Sequence, residues 1–164
     1  LATLLYVVSR NRTGRLTIAP DTLKDNLALF LNENRLISDA IDIMDSPIVN
    51  FGIKYNIVVN GVANKNAVIQ SINAKIKNYF KIVNFQIDQP IFLTEIQKII
   101  IRSSGVISLS DIEMINLSGV VSGKIYSNVI LNIDDATFKG MVFPPAGGIF
   151  EMKYPTSDIM GTAE

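Results

Sequence analysis

The alternation of side-chain polarity over Ile48–Val59 is the feature that most constrains the fold. Apolar residues occupy the odd positions, and polar residues or glycine occupy four of the even ones: Asn50, Gly52, Lys54 and Asn56. Successive side chains of a strand point to opposite faces of a sheet. The pattern therefore predicts a long strand with one core face and one wetter face. A chain with such a strand must cover the apolar face with other elements.

Further strands and helices are predicted around this segment from local patterns. Leu23, Leu27, Phe30 and Leu31 form an apolar stripe at helical spacing. Asn64 is placed as the N-cap of a second helix, and Gly105 as the stop after a third. The predicted helices run from Pro20 to near Asn34, from Asn64 to Phe80, and over Leu93–Arg102. The other predicted strands are Thr3–Ser9, Ile37–Met44 and Val106–Leu117, the last with a possible break at Ser110-Asp111.

The order of these elements predicts an α+β fold. The order β-α-β-β-α-α-β matches the ferredoxin-like split β-α-β plan with one additional short helix. A mainly antiparallel sheet with the helices on one face would bury every apolar stripe described above. We therefore expect a ferredoxin-like sandwich over residues 1–117.

The character of the chain changes after Leu117, and we place a domain boundary there. The segment 118–164 is predicted to be a β-rich extension, with alternation over Lys124–Ile133 and a final strand at Ile149–Tyr154. Two arrangements remain open for this extension. It completes the core of its own domain, or it packs against a neighbouring subunit.

Composition excludes several classes of site. The chain has no Cys and no His, so disulfides, thiolate nucleophiles and Cys- or His-ligated metals are impossible. The 15 basic and 15 acidic residues balance, whereas domains that bind duplex nucleic acid usually carry a basic excess. No apolar run approaches the roughly 20 residues that span a bilayer. Because the first residue is Leu and not Met, we expect a fragment or a processed chain.

Carboxylates are the only candidate acid–base groups. Asp42, Asp45, Asp134 and Asp135 are the ones to consider, because paired carboxylates can divide acid and base roles. Asp45 and the Asp134-Asp135 pair lie in turn-like sequence, where Asp commonly serves the turn itself. No glycine-rich phosphate loop occurs. We therefore expect no enzyme activity and no cofactor.

Two groups of residues are candidates for a protein interface. Arg10, Arg12 and Arg15 lie within one polar loop, and the planar guanidinium group suits carboxylate or phosphate partners. The other reading of this loop is a solvated tip. The second group is the apolar side of the alternating segment in the extension: Ile125, Val129, Leu131 and Ile133.

The order of segments resembles a known family along nearly the whole chain. The segments are LLYVVSR, TGRLTIAPDTLKDNLALFLNENRLIS, IDIMDSPIVNFGIKYNIVV, NAVIQSINAKIKNYF, QPIFLTEIQKIIIRSSGVISLSDIEMINL and IFEMKYPTSDIMGT. Together they resemble the C-terminal part of the baseplate wedge proteins of T-even-type contractile-tailed phages, within the baseplate J-like family. Each segment is a packing pattern, so the resemblance depends on their order and spacing.

This resemblance implies a structural role in a virion and no active site. It implies a homo-oligomer, with a dimer as the expected form, and contacts with other baseplate wedge subunits. The location would be the phage tail baseplate, after assembly in the host cytoplasm. The alternative from the residues themselves is a ferredoxin-like binding module for nucleic acid or a small ligand. A carboxylate-based hydrolase is the third reading.

Overall fold

The computed structural model describes residues 2–33 and 40–164. Its helices are α1 (Asp21–Glu33), α2 (Lys65–Tyr79), α3 (Leu93–Ile101) and α4 (Pro155–Asp158). Its longer strands are β1 (Ala2–Val7), β4 (Ala40–Asp45), β5 (Ile48–Val59), β7 (Val106–Asn116), β12 (Ile149–Glu151) and β13 (Ile159–Ala163). Its short strands are β2 (Ser9–Arg10), β3 (Leu16–Thr17), β6 (Ile91–Phe92), β8 (Val120–Val121), β9 (Lys124–Ile125), β10 (Thr137–Phe138) and β11 (Met141–Val142).

Strand β5 is the centre of the main sheet and has the bounds that the alternation predicts. It pairs in antiparallel fashion with β7 and in parallel with β12 and β13. Strands β7 and β13 flank the same stretch of β5, so both of its edges are paired there. The odd-numbered side chains of β5 are all buried. The predicted core face is therefore confirmed.

Helices α2 and α3 supply apolar stripes to the core that contains this face. Asn64 caps α2, because its side chain accepts a hydrogen bond from the Ala67 N–H at 3.2 Å. The buried helix residues include Ile72 and Ile76 of α2 and Ile96 and Ile100 of α3. The core also contains edge-to-face aromatic pairs, in which Phe51 meets Phe80 at 5.0 Å and Phe150 at 5.8 Å between ring centroids.

The segment after Leu117 contributes to the same sheet and the same core. Strands β12 and β13 pair with β5, and the core includes Val142, Phe150, Met152 and Ile159. The Tyr126 hydroxyl donates to the buried Asp158 carboxylate at 2.6 Å. Burial, and then this hydrogen bond, raise the pKa of Tyr126. Of the two arrangements left open for this segment, the structure has the one in which it completes its own core.

The N-terminal elements form a separate parallel unit. Strand β1 pairs with β4 in register from Ala2↔Ala40 to Val7↔Asp45, and α1 lies between the two strands in the sequence. The α+β class is confirmed. The ferredoxin-like arrangement is not confirmed, because the described partner of β1 is β4 and not a strand of the main sheet.

Several strand bounds differ from the sequence prediction. Strand β7 has a bulge where a break was predicted, because Asn56 pairs with Asp111 while Ile57 pairs with Leu109. Within the predicted strand 124–133, only Lys124–Ile125 forms a strand. The strand predicted over Ile149–Tyr154 ends at Glu151. Residues 37–39 of the predicted Ile37–Met44 strand lie outside the described residues. In the part of the chain that is described, no helix is long and apolar enough to cross a membrane.

Candidate protein interface

The unit formed by β1, α1 and β4, here called the N-terminal unit, exposes apolar side chains on both of its layers. Helix α1 contains no buried residue. Leu23 and Leu29 of α1 are 50% and 64% exposed, and Leu4 of β1 is 53% exposed. Phe30 and Met44 are also exposed. Since several exposed large apolar side chains lie on this one unit, it is the first candidate for an interface.

One side of α1 faces the rest of its own unit. Leu27 and Leu31 are half-buried, which confirms half of the predicted apolar stripe. The other half was placed wrongly in the core, because Leu23 and Phe30 are exposed. Among the described elements, the main packing of helix α1 is against β4.

Charges anchor α1 to β4. The Lys24 ammonium lies 3.0 Å from Asp21 and 3.1 Å from Asp45, which is at the end of β4. Hydrogen bonds to these two carboxylates raise the pKa of Lys24. The Lys24–Asp45 pair therefore links α1 to the end of β4, beside the packing of the half-buried Leu27 and Leu31.

The N-terminal unit meets the main body at Gly147. The Ser46 hydroxyl donates to the Gly147 carbonyl at 2.6 Å, and the Gly147 N–H donates to Asp88 at 2.6 Å. Gly147 has φ +69°, and a Cβ there would lie 2.3 Å from the ring of Tyr6. Glycine is required at this position by both the backbone conformation and the approach of the Tyr6 ring.

The predicted arginine loop divides into a fixed residue and two free ones. Asn11 shapes the loop, because its side-chain oxygen accepts from the N–H groups of Thr13 and Arg15 at 3.0 Å. The Arg15 guanidinium lies 4.3 Å from the ring centroid of Tyr154 and stacks on it. Arg10 and Arg12 are exposed, and neither forms an ion pair with a described residue. Arg10 and Arg12 are therefore available to a partner.

A buried polar network fixes the base of the arginine loop. Glu151 is 4% exposed, and its carboxylate accepts from the Leu16 N–H at 2.6 Å and from the Asn50 side-chain amide at 3.0 Å. The Asn50 side-chain oxygen accepts from the Ser127 N–H at 2.8 Å. Burial raises the pKa of Glu151, and the hydrogen bonds from Leu16 and Asn50 and the charges of Lys153 and Arg15 oppose this in part.

Sequence reasoning missed this network, although one signal was present. Asn50 lies on the even face of β5, which was expected to be wetter, yet it is 1% exposed. The signal was Asn50 itself, near the start of the long strand. Its side-chain amide has both hydrogen-bond donors and an acceptor, so it can connect several segments. The segment that covers it comes from about 100 residues away in the sequence, so no local pattern indicated the contact.

The predicted apolar residues of the extension have different positions in the structure. Ile125 is exposed on the short β8–β9 hairpin. Val129, Leu131 and Ile133 are partly buried and pack against the core of their own chain. The structure thus separates Ile125 from the other three. The role of these four residues in an interface stays a prediction. For the three partly buried residues, only the exposed part of each side chain could contact a partner.

A cleft of about 480 Å³ lies beside the Glu151 network. Its lining includes Leu16, Ile18, Asn50, Ser127, Glu151 and Lys153. Among the described residues, no buried side-chain nitrogen or oxygen lacks a hydrogen-bond partner. The buried polar side chains at this cleft, Asn50 and Glu151, are therefore already hydrogen-bonded within the chain.

Of the candidate carboxylates, those of Asp45 and Asp135 have partners within the chain, while Asp42 is exposed on β4. Asp45 binds Lys24, Asp135 accepts from the Asn132 side chain at 2.7 Å, and the Asp134 N–H donates to Asn132. In residues 2–33 and 40–164, no three acidic side chains are close enough together to hold a metal ion. No protein-family model matches this sequence, and no curated protein matches it significantly. A functional conclusion therefore depends on the geometry described above and on the resemblance in segment order.

Proposed function

We propose that this chain is a structural subunit that joins neighbouring subunits through its N-terminal unit. The observation that supports this best is the exposure of apolar side chains on α1 and on the β1–β4 pair. Parallel strands occur almost always with both faces covered, and a two-stranded sheet alone is marginally stable. A partner that covers this unit would supply the missing contacts.

The specific role that we propose is a wedge subunit of a phage contractile-tail baseplate. The support is the resemblance in segment order, together with a surface suited to assembly. In this role the chain self-associates, contacts other wedge subunits and resides in the virion. The buried Glu151–Asn50 network suits such a role, since it joins β3, β5 and β12 into one rigid body. The ferredoxin-like strand order is not needed for this proposal.

The decisive experiment compares the solution mass of the chain and its variants across a concentration series. We expect the wild type to self-associate and Leu29→Glu to weaken association by about tenfold or more, because a charge would be buried at the interface. Val83→Glu is the matched control, since Val83 is a similarly exposed apolar residue in the 3-10 turn at Ile82–Asn84. Equal effects of the two substitutions would contradict a role for the α1 surface, and a monomeric wild type would contradict self-association.

The cleft beside Glu151 favours a second candidate function, a binding module for a small ligand. Most of the surface that lines it is apolar, although many of the lining residues are polar, and ligand sites usually combine apolar surface with placed polar groups. Ligand-observed NMR with small amphiphilic compounds tests this, and Ile18→Trp serves as the variant that narrows the cleft. Binding to the wild type that is lost in Ile18→Trp would support this function. If no compound binds the wild type, the small-ligand function is contradicted and the assembly role is the only candidate left.

A further inference from the structure

The outer edge of β1 is a strand edge with no described partner. Strand β1 pairs only with β4 among the described strands. The Val7 carbonyl accepts from the Ser46 N–H at 2.9 Å, on the β4 side. Because successive residues of a strand direct their N–H and C=O groups to opposite edges, Leu4 and Tyr6 direct theirs to the open edge. These groups are free to form a ladder with another strand.

Edge strands are usually protected against such pairing, and β1 is not. Charged side chains, proline, bulges and short length are the common protections. Strand β1 has six residues, Ala-Thr-Leu-Leu-Tyr-Val, and contains no charge and no proline. Its register with β4 is regular over the whole strand. The edge is therefore suited to strand addition.

The other open edges differ from β1 in ways that decide the partner. Strand β7 carries Asp111 and Glu113 and has a bulge, so two antiparallel copies would place like charges together. Strand β4 carries Asp42 and Asp45. Strand β13 has Gly161 at its centre, where no side chain is available for cross-strand contact. Of these strands, β1 alone can meet its own copy with apolar side chains opposite one another and no repulsion.

We propose that β1 pairs in antiparallel fashion with β1 of a second copy, giving one four-stranded sheet in the order β4–β1–β1–β4. This inference rests on the proposed assembly function and names the partner and the strand that it uses. The two copies would be related by a twofold axis perpendicular to the sheet, so that each side chain lies on the same face of the sheet in both copies. The residue on this axis then pairs with the same residue of the second copy. The longest overlaps place Leu4 or Leu5 at the centre.

The pairing also covers surface that is otherwise exposed. Leu4 lies opposite Asp42 within its own unit and is half-exposed. In the pair of copies its side chain meets an apolar residue of the second β1, Leu4 or Tyr6 according to the register. Cross-strand apolar pairs stabilise a sheet, and four strands are enough for a sheet with a hydrophobic face to be stable.

Because the chain has no cysteine, single cysteines test the pairing directly. In an antiparallel ladder the Cα atoms of facing residues lie roughly 4.5 or 5.5 Å apart, within the range that a disulfide spans. We expect Leu4→Cys or Leu5→Cys to form a covalent dimer rapidly on mild oxidation. Ser108→Cys, on the exposed and acidic β7, is the control and should remain monomeric. Equal crosslinking at all three positions, or none at Leu4 and Leu5, would overturn the pairing.

A charge exchange at Leu4 distinguishes this inference from the broader function. With Leu4 at the centre, Leu4→Lys and Leu4→Glu should each weaken self-association by about tenfold, and an equimolar mixture of the two should restore it. With Leu5 at the centre, each single variant should still weaken self-association, because the charge would face Tyr6 of the second copy. If self-association is lost in Leu29→Glu but is unaffected at Leu4, the strand pairing is wrong and the assembly role stands. If the wild type is monomeric at all concentrations, self-association and the strand pairing fail together.

Discussion

At the scale of single residues, Glu151 and Asn50 show how one buried contact constrains the substitutions that a site tolerates. The orientation of Asn50 is set by the Ser127 N–H, which donates to its side-chain oxygen. Its amide nitrogen must therefore donate, and Glu151 must accept. A glutamine at position 151 would place an amide donor against another donor, or leave the Leu16 N–H without its acceptor. Such an unsatisfied buried group costs roughly 1–3 kcal/mol.

The stability of the protein should depend on pH through Glu151. Burial raises the pKa of Glu151 in the folded state, so the folded chain holds this proton more tightly than the unfolded chain does. The contribution of the protonated Glu151 to the free energy of unfolding is fully present below the unfolded-state pKa, and it is lost as pH rises through the folded-state pKa. The free energy of unfolding of wild type minus that of Glu151→Gln should thus decrease as pH rises through this window. Urea unfolding at a series of pH values measures the difference.

The control for this pH dependence is a glutamate at the surface. Glu113 lies on β7 and is exposed, so Glu113→Gln removes a carboxylate without disturbing a buried network. An identical pH profile for the two variants would show that burial of Glu151 does not govern the effect. If the free energy of unfolding of wild type minus that of Glu151→Gln increased with pH, the hydrogen bonds from Leu16 and Asn50 would affect the pKa of Glu151 more than its burial does.

At the scale of elements, the β2–β3 hairpin illustrates how a segment can be fixed by some of its residues while others stay exposed. Arg15 stacks on Tyr154, and Leu16 is hydrogen-bonded to Glu151. Arg10 and Arg12 are exposed. The hairpin therefore presents two cations in a defined place, and a partner does not have to order its base on binding.

Substitution of these two cations should affect assembly and leave the fold intact. We expect the double variant Arg10→Ser, Arg12→Ser to weaken association by about two- to tenfold, since exposed charge pairs contribute modestly. The melting temperature should change little, because surface substitutions usually alter stability by about 0.5 kcal/mol or less. Sedimentation at two salt concentrations measures the effect, with the exposed Lys81→Ser as control. An association constant equal to that of the control would exclude the loop from the interface.

At the scale of the whole molecule, residues 118–164 are part of the core. Strands β12 and β13 pair with β5, and Phe150 packs against Phe51 in the core. The Asn116 side chain donates to the Asn50 carbonyl and accepts from the Leu131 N–H, so the segment after β7 is tied to the sheet as well. Strand pairing therefore crosses the domain boundary that was predicted near residue 118.

Deletion of residues 118–164 should abolish cooperative folding. It would uncover one edge of β5 and the apolar face that Phe150 and Ile159 help to cover. Circular dichroism during thermal unfolding measures the outcome. The matched control replaces only the β8–β9 hairpin, residues 120–125, with two glycines, since Val120 and Ile125 are exposed there. A truncated chain that unfolds cooperatively would show that residues 1–117 form an independent domain.

The sequence by itself determined the elements whose signals are local. The alternation over Ile48–Val59 predicted β5 with its observed bounds, the Asn64 cap predicted the start of α2, and the predicted break at Ser110 is a bulge. The candidate interface residues Arg10 and Arg12 also came from a local pattern. Each of these signals arises within a few residues, where backbone geometry and side-chain spacing govern the outcome.

Only the tertiary structure decided which apolar faces are covered and by what. Periodicity shows that a face is apolar, but it does not show whether another element reaches that face. Leu23 and Phe30 therefore had the pattern of core residues and are exposed, while Asn50 had the pattern of a surface residue and is buried. Burial depends on contacts between residues far apart in the sequence, such as those that place β12 and β13 beside β5.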